Sequence, residues 1–151
     1  MTQHMHSPIL VLADQSGAHL TSLARQALTL AASLTSGDVV ALSVAPAPDV
    51  AALAELGATR ILHADLGDAG HASVVASDAV IAALGTDSFG LVLLCSDYRG
   101  REIAGRVAAL TESGVISGAS SVSFDGGVLQ VGKTALGGSW SMGIVDRKSV
   151  V

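Results

Sequence analysis

Aromatic side chains, cysteine and basic residues are all scarce in this sequence. Aromatics make up 3% of the 151 residues, and Cys95 is the single cysteine. Proteins that stack nucleobases need more exposed rings than this, and one cysteine allows no internal disulfide. Eight Lys and Arg residues stand against thirteen Asp and Glu, for a net charge of −5. That balance argues against nucleic acid or an anionic membrane surface as a partner.

Long apolar runs are also missing. No stretch approaches the roughly 20 consecutive apolar residues of a membrane span. The first residues, MTQHMHSP, have neither the basic region nor the apolar core of a signal peptide. A lone cysteine within an apolar run is typical of a reducing compartment. Together these features predict a cytoplasmic protein that does not bind membranes.

Half of the residues are hydrophobic. Since few of these are aromatic, small and aliphatic side chains must form the core. Four short segments are typical of strands, at 8–14, 39–45, 60–65 and 90–96, and apolar residues lie on both of their faces. Helical periodicity separates or follows them, at 20–34, 49–57, 73–84 and about 101–113. This alternation predicts a parallel sheet with helices on both faces.

The sequence after Gly114 has a different character. Residues 122–133 flank Asp125-Gly126-Gly127 with strand-forming residues, which predicts a hairpin, and 134–145 read as a further strand with a glycine break. The predicted fold is α/β, a three-layer Rossmann-like sheet of the adenine-nucleotide-hydrolase-like type with a C-terminal β-hairpin. We expect one domain over 8–145, a flexible tail over 1–7, and a tail or the start of a linker over 146–151.

Several motifs that would carry chemistry are excluded by their context. Gly127 and Gly132-Lys133-Thr134 match the P-loop pattern, but the residues between them favour a strand and no helical pattern follows. The turn after the first strand has one glycine, too few for a dinucleotide fingerprint. His4 and His6 lie in the predicted tail, a poor place for a metal. No nucleophile elbow is present, so we predict neither a catalytic residue nor a metal site.

The stretch SDYRGREIAGRVAAL at 96–110 supports two interpretations. As a strand, a turn and a helix start with Ser96 or Asp97 as the cap, it can bind an anion through Arg99, Gly100 and Arg101. Alternatively its charges are structural, since Glu102 and Arg106 have the spacing of a helical ion pair. Gly105, in mid-helix, suggests close packing there. Spacing alone does not decide between a binding site and a structural corner.

Residues 8–142 resemble the N-terminal domain of the electron transfer flavoprotein alpha subunit. The resemblance rests mainly on GREIAGRVAALTESGVISGASSV and DGGVLQVGKTALGGS, and on the order of ILVLAD, VVALSVA, LAELGATRILHAD and LVLLCSD. Four residues depart from the family pattern: Gly105 replaces a proline, Gly118 replaces an aspartate, and Ser139-Trp140 replace Asn-Ala. The chain ends where the linker to the family's flavin-binding domain would begin.

The resemblance implies a scaffold domain that binds a beta subunit and is not itself an enzyme. In the family, the heterodimer holds FAD and carries electrons from flavin dehydrogenases, with FAD bound mainly by the domain missing from this chain. We therefore expect no cofactor to be held by this chain alone, and a beta subunit as its partner, with self-association when that subunit is absent. The alternative is a stand-alone AMP- or ATP-binding domain of the universal-stress type, with its site around 13–17 and 96–100.

Overall fold

A six-stranded parallel sheet is the centre of the structure. This computed structural model describes residues 3–135, 140–146 and 149–150, with side chains over 3–134. The strands lie in the order β5-β4-β1-β6-β11-β7. Their bounds are β1 Ile9–Leu12, β4 Val39–Ser43, β5 Arg60–His63, β6 Leu91–Leu93, β7 Gly114–Val115 and β11 Ser149–Val150. The four predicted strand segments supply β1, β4, β5 and β6, which confirms the parallel sheet.

Four α-helices cover the two faces of this sheet. They are α1 Ser22–Leu34, α2 Val50–Glu55, α3 Ser73–Leu84 and α4 Tyr98–Thr111, and a 3-10 helix, Gly67–His71, precedes α3. Alternate residues along β1 serve the two faces: Ile9 and Val11 pack toward α1 and α2, whereas Leu10 and Leu12 pack toward α3 and α4. This confirms the Rossmann-like, three-layer arrangement. None of the helices in the described ranges is long and apolar enough to cross a membrane.

A separate antiparallel sheet packs against α1. It contains β8 Ala119–Asp125, β9 Val128–Ala135 and β10 Trp140–Asp146, and Leu129 and Val131 belong to the core beside α1. The predicted hairpin is confirmed: Asp125 pairs with Val128 across Gly126 and Gly127, which both have positive φ. The P-loop pattern therefore lies in a strand. The predicted glycine break, Gly137-Gly138, lies outside the described residues.

The first described residues do not form the flexible tail that we predicted. Met5 is buried, its N–H donates to the Leu34 carbonyl at 2.8 Å, and its carbonyl accepts from Ser36 N–H at 2.9 Å. His4 and His6 form separate hydrogen bonds, with the Ser33 carbonyl and the Ser36 hydroxyl. An apolar side chain at position 5 thus ties this segment to the end of α1.

The last described residues also differ from the prediction, because they form a strand. Within 146–151, predicted as a tail or linker, Ser149–Val150 form β11, between β6 and β7. The physical reason is that β6 would otherwise leave its backbone groups unpaired on that side.

One further pair, β2 Gln15–Ser16 and β3 His19–Leu20, forms a small hairpin directly after β1.

Candidate functional site at the carboxyl ends of β1 and β6

The order of the strands creates a crevice at the carboxyl ends of β1 and β6. The chain leaves β1 through α1 to β4 on one side, while β6 pairs with β1 on the other. Ligands of open parallel sheets bind outside the strand ends at such a point. Asp14 follows β1, and Asp97 and Arg99 follow β6. The structure thus brings together the two segments, 13–17 and 96–100, that sequence analysis named as an alternative site.

The start of α4 is closed by the protein itself. The Asp97 carboxylate accepts a hydrogen bond from Gly100 N–H at 2.7 Å, so the helix begins at Tyr98, three residues earlier than predicted. Gly100 is buried, and a Cβ at this position would overlap the Cys95 carbonyl oxygen. Only glycine allows the helix to approach the end of β6 this closely.

Each of the three nitrogens of the Arg99 guanidinium donates to a protein acceptor. The guanidinium forms a short ion pair with Asp14 and donates to the carbonyls of Gly70 at 2.6 Å and His71 at 3.3 Å. The side chains of Arg99 and Asp14 are only 24% and 14% exposed. Burial raises the pKa of Asp14 above its usual value, and Arg99 offsets part of that rise. The predicted anion ligand Arg99 is therefore the internal counter-ion of Asp14.

Arg101, the second predicted anion ligand, lies on the surface. Its guanidinium has a long hydrogen bond, 3.4 Å, to the Ser96 carbonyl. It borders a groove of about 360 Å³ between α1, β6 and β8, with apolar side chains such as Leu30, Leu93 and Ile116 in its lining. This volume is at the low end of the range for small-molecule pockets.

Two expectations about α4 are wrong in detail. Gly105 is exposed, and a Cβ there would meet nothing within 4 Å, so the close packing lies at Gly100 instead. Glu102 accepts a hydrogen bond from the Ser73 hydroxyl at 2.8 Å. Arg106 lies 3.6 Å from Asp78. Both side chains thus reach α3, because the two helices pack side by side and offer closer partners than the next turn of α4.

Cys95 lies at the same strand end and is buried. Desolvation, then the nearby negative charges of Asp14 and Asp97, raise the pKa of its thiol to about 12. Since the thiolate is the nucleophilic form, this environment suppresses cysteine chemistry.

Protein groups already occupy the start of α4, where a phosphate would bind. Phosphate binding at a helix start needs free N–H groups and a positive field, whereas here the Asp97 carboxylate occupies that position. Arg99 is held by Asp14 and by two carbonyls. The groups at this corner thus already have protein partners.

Sequence reasoning missed the segment that completes this site. Gly70 and His71, in the 3-10 helix before α3, supply two of the three acceptors of Arg99. The available signal was opposite charge at neighbouring strand ends, Asp14 after β1 and Arg99 after β6. Nothing local in GDAGH identifies carbonyl acceptors, because backbone groups are the same in every residue.

One protein-family model matches almost the whole chain. The model of the electron transfer flavoprotein domain matches residues 9–149. No curated protein matches the chain. The match spans the parallel sheet, all four helices and the antiparallel sheet. The chain therefore belongs to the electron transfer flavoprotein domain family.

Proposed function

We propose that this chain is the scaffold domain of an electron transfer flavoprotein alpha subunit. Its role is to bind a beta subunit and so support electron transfer from flavin dehydrogenases through an FAD held by the heterodimer. The observation that carries the proposal is the family match over residues 9–149. The order of motifs between Gly100 and Gly138, which resembles the alpha subunit, favours alpha over beta.

The candidate site is consistent with a scaffold rather than a cofactor-binding role. Arg99 and Asp97 use their side chains to join the ends of β1, β6 and α4 to one another. A group that served a cofactor would instead keep hydrogen-bonding capacity for it. In this proposal FAD is held mainly by a flavin domain outside residues 9–149. The residues of this chain stabilise the surface that binds the beta subunit.

Co-expression tests the proposal. The chain carrying an affinity tag is produced together with each electron transfer flavoprotein beta subunit of the same genome, and complexes are measured by size-exclusion chromatography with light scattering. We expect a one-to-one complex with a beta subunit. A tagged Rossmann-like protein of similar size is the control for nonspecific capture.

Two results would contradict the proposal. Failure to pair with any beta subunit of that genome would remove partner binding from the domain's function. Pairing with an alpha subunit instead of a beta subunit would show that the chain takes the beta position. The stand-alone nucleotide-binding alternative predicts no complex with either subunit.

A further inference from the structure

The 3-10 helix at Gly67–His71, here called the strap, lies beside the crevice and has little support of its own. Gly70 is its one buried residue, while the other four are exposed. A Cβ on Gly70 would come within 2.6 Å of the Val44 carbonyl oxygen, so this glycine sits directly on the end of β4. Segments with few buried contacts and exposed backbone open at low free energy.

Hydrogen bonds at its two ends join the strap to the residues on either side. Ala69 N–H donates to the Leu66 carbonyl at 3.1 Å, and Ala72 N–H to the Ala69 carbonyl at 3.0 Å. Half-buried Leu66 anchors the entry to the strap in the core beside α3 and α4. Past Leu66, Gly70 ties the strap to the end of β4, and the carbonyls of Gly70 and His71 tie it to Arg99 of α4.

Arg99 connects the strap to the sheet. One side of its guanidinium pairs with Asp14 at the end of β1, and the other side donates to Gly70 and His71 carbonyls. Hydrogen bonds from a charged donor contribute more than neutral ones. Asp14 is largely buried, so loss of Arg99 would leave its carboxylate without a partner unless water entered. Holding the strap and neutralising Asp14 are therefore two tasks of one side chain.

We propose that Arg99 is a latch that keeps the strap closed over the end of the β1–β6 crevice, and that its release opens the strap locally and admits solvent to Asp14. The device controls access to the strand ends without unfolding the sheet. This inference does not depend on the proposed partner subunit.

Amide hydrogen exchange measures the opening directly. In the Arg99→Gln variant we expect the amides of Ala69 and Ala72 to exchange about tenfold faster or more, since two charge-assisted hydrogen bonds are lost. Amides of β1 report global unfolding, and the latch requires that the strap amides accelerate more than these do. Arg101→Gln is the matched control, because it removes an exposed guanidinium two residues away that does not contact the strap.

The double variant Asp14→Asn, Arg99→Gln separates the latch from charge balance. Removing the unpaired carboxylate is expected to restore much of the global stability, while the strap stays open because its carbonyls still have no donor. Gly70→Ala provides a second way to open the strap, since its Cβ collides with the Val44 carbonyl, and it changes neither charged residue. The latch is refuted if strap exchange in Arg99→Gln stays within twofold of the parent chain, or if the double variant recovers full protection.

Discussion

Two glycines of the same helix have opposite environments. Gly100 touches the end of β6 so closely that a Cβ would overlap the Cys95 carbonyl, whereas Gly105 faces open space. We expect Gly100→Ala to lower the free energy of unfolding by about 3 kcal/mol, as in other overpacked sites. Gly105→Ala should raise it by up to about 1 kcal/mol, because alanine favours the helix. Urea unfolding followed by circular dichroism measures both.

The two substitutions add the same methyl group to the same helix, so each is the control of the other. Equal effects would show that α4 does not approach the sheet at Gly100. A stabilising Gly100→Ala would contradict the packing at this corner.

The carboxyl group of Asp14 makes stability depend on pH in an unusual direction. Burial raises its pKa in the folded protein above the value of 3.8 that applies to an exposed aspartate. Ionised Asp14 therefore lowers stability at neutral pH, and this cost is relieved as pH falls through the folded pKa. We expect the parent chain to gain stability relative to Asp14→Asn as pH falls from neutrality through the folded pKa, with no further gain once pH is below the unfolded value of 3.8.

Urea unfolding of the two proteins across this pH range is the measurement, and the difference between them cancels the other titrating groups. Asp68→Asn, on the exposed strap, is the control for the loss of one carboxylate from the surface. A parent chain that loses stability in acid relative to Asp14→Asn would mean that Arg99 outweighs burial at this site.

At the scale of elements, the start of α4 depends on its cap. The Asp97 carboxylate accepts from Gly100 N–H at 2.7 Å. We expect Asp97→Ala to lower the free energy of unfolding by about 1 kcal/mol and Asp97→Asn by only a few tenths, because asparagine caps nearly as well. Both variants remove the same charge, so their difference in urea unfolding isolates the cap. If both variants lost the same free energy of unfolding, the effect would come from the charge of Asp97 and not from its cap.

Elements with a strong local signal could be predicted from sequence, and those without one could not. Continuous apolar runs identified β1, β4 and β6, and a short aliphatic segment identified β5. Asp49 and Gly126-Gly127 marked a helix start and a hairpin turn. The two-residue strands have too few residues for any periodicity, and β11 forms because β6 needs a partner far away in sequence. Which strands pair over such a distance in sequence depends on the whole sheet, so a local pattern cannot predict it.

At the scale of the whole molecule, the location of the site was predictable but its chemistry was not. Parallel strands bring residues 14 and 99 to one edge once the strand order is known. Whether Arg99 faces a ligand or a neighbouring segment depends on where Gly70 and His71 lie, and no local pattern fixes that. From its sequence alone, this arginine-rich segment is compatible with a phosphate site. In the structure, Arg99 forms an internal ion pair with Asp14.

Nucleotides test this difference on the intact chain. A ligand that binds the folded state at a hundred times its dissociation constant stabilises it by about 2.7 kcal/mol. Because Arg99 and the start of α4 are occupied by the protein's own groups, we expect ATP and AMP at millimolar concentration to leave the thermal midpoint unchanged. Sodium sulfate at matched ionic strength is the control for general salt effects. A midpoint that rises with ATP or AMP but not with sulfate would show that the crevice accepts a nucleotide, and it would favour the nucleotide-binding alternative over the scaffold.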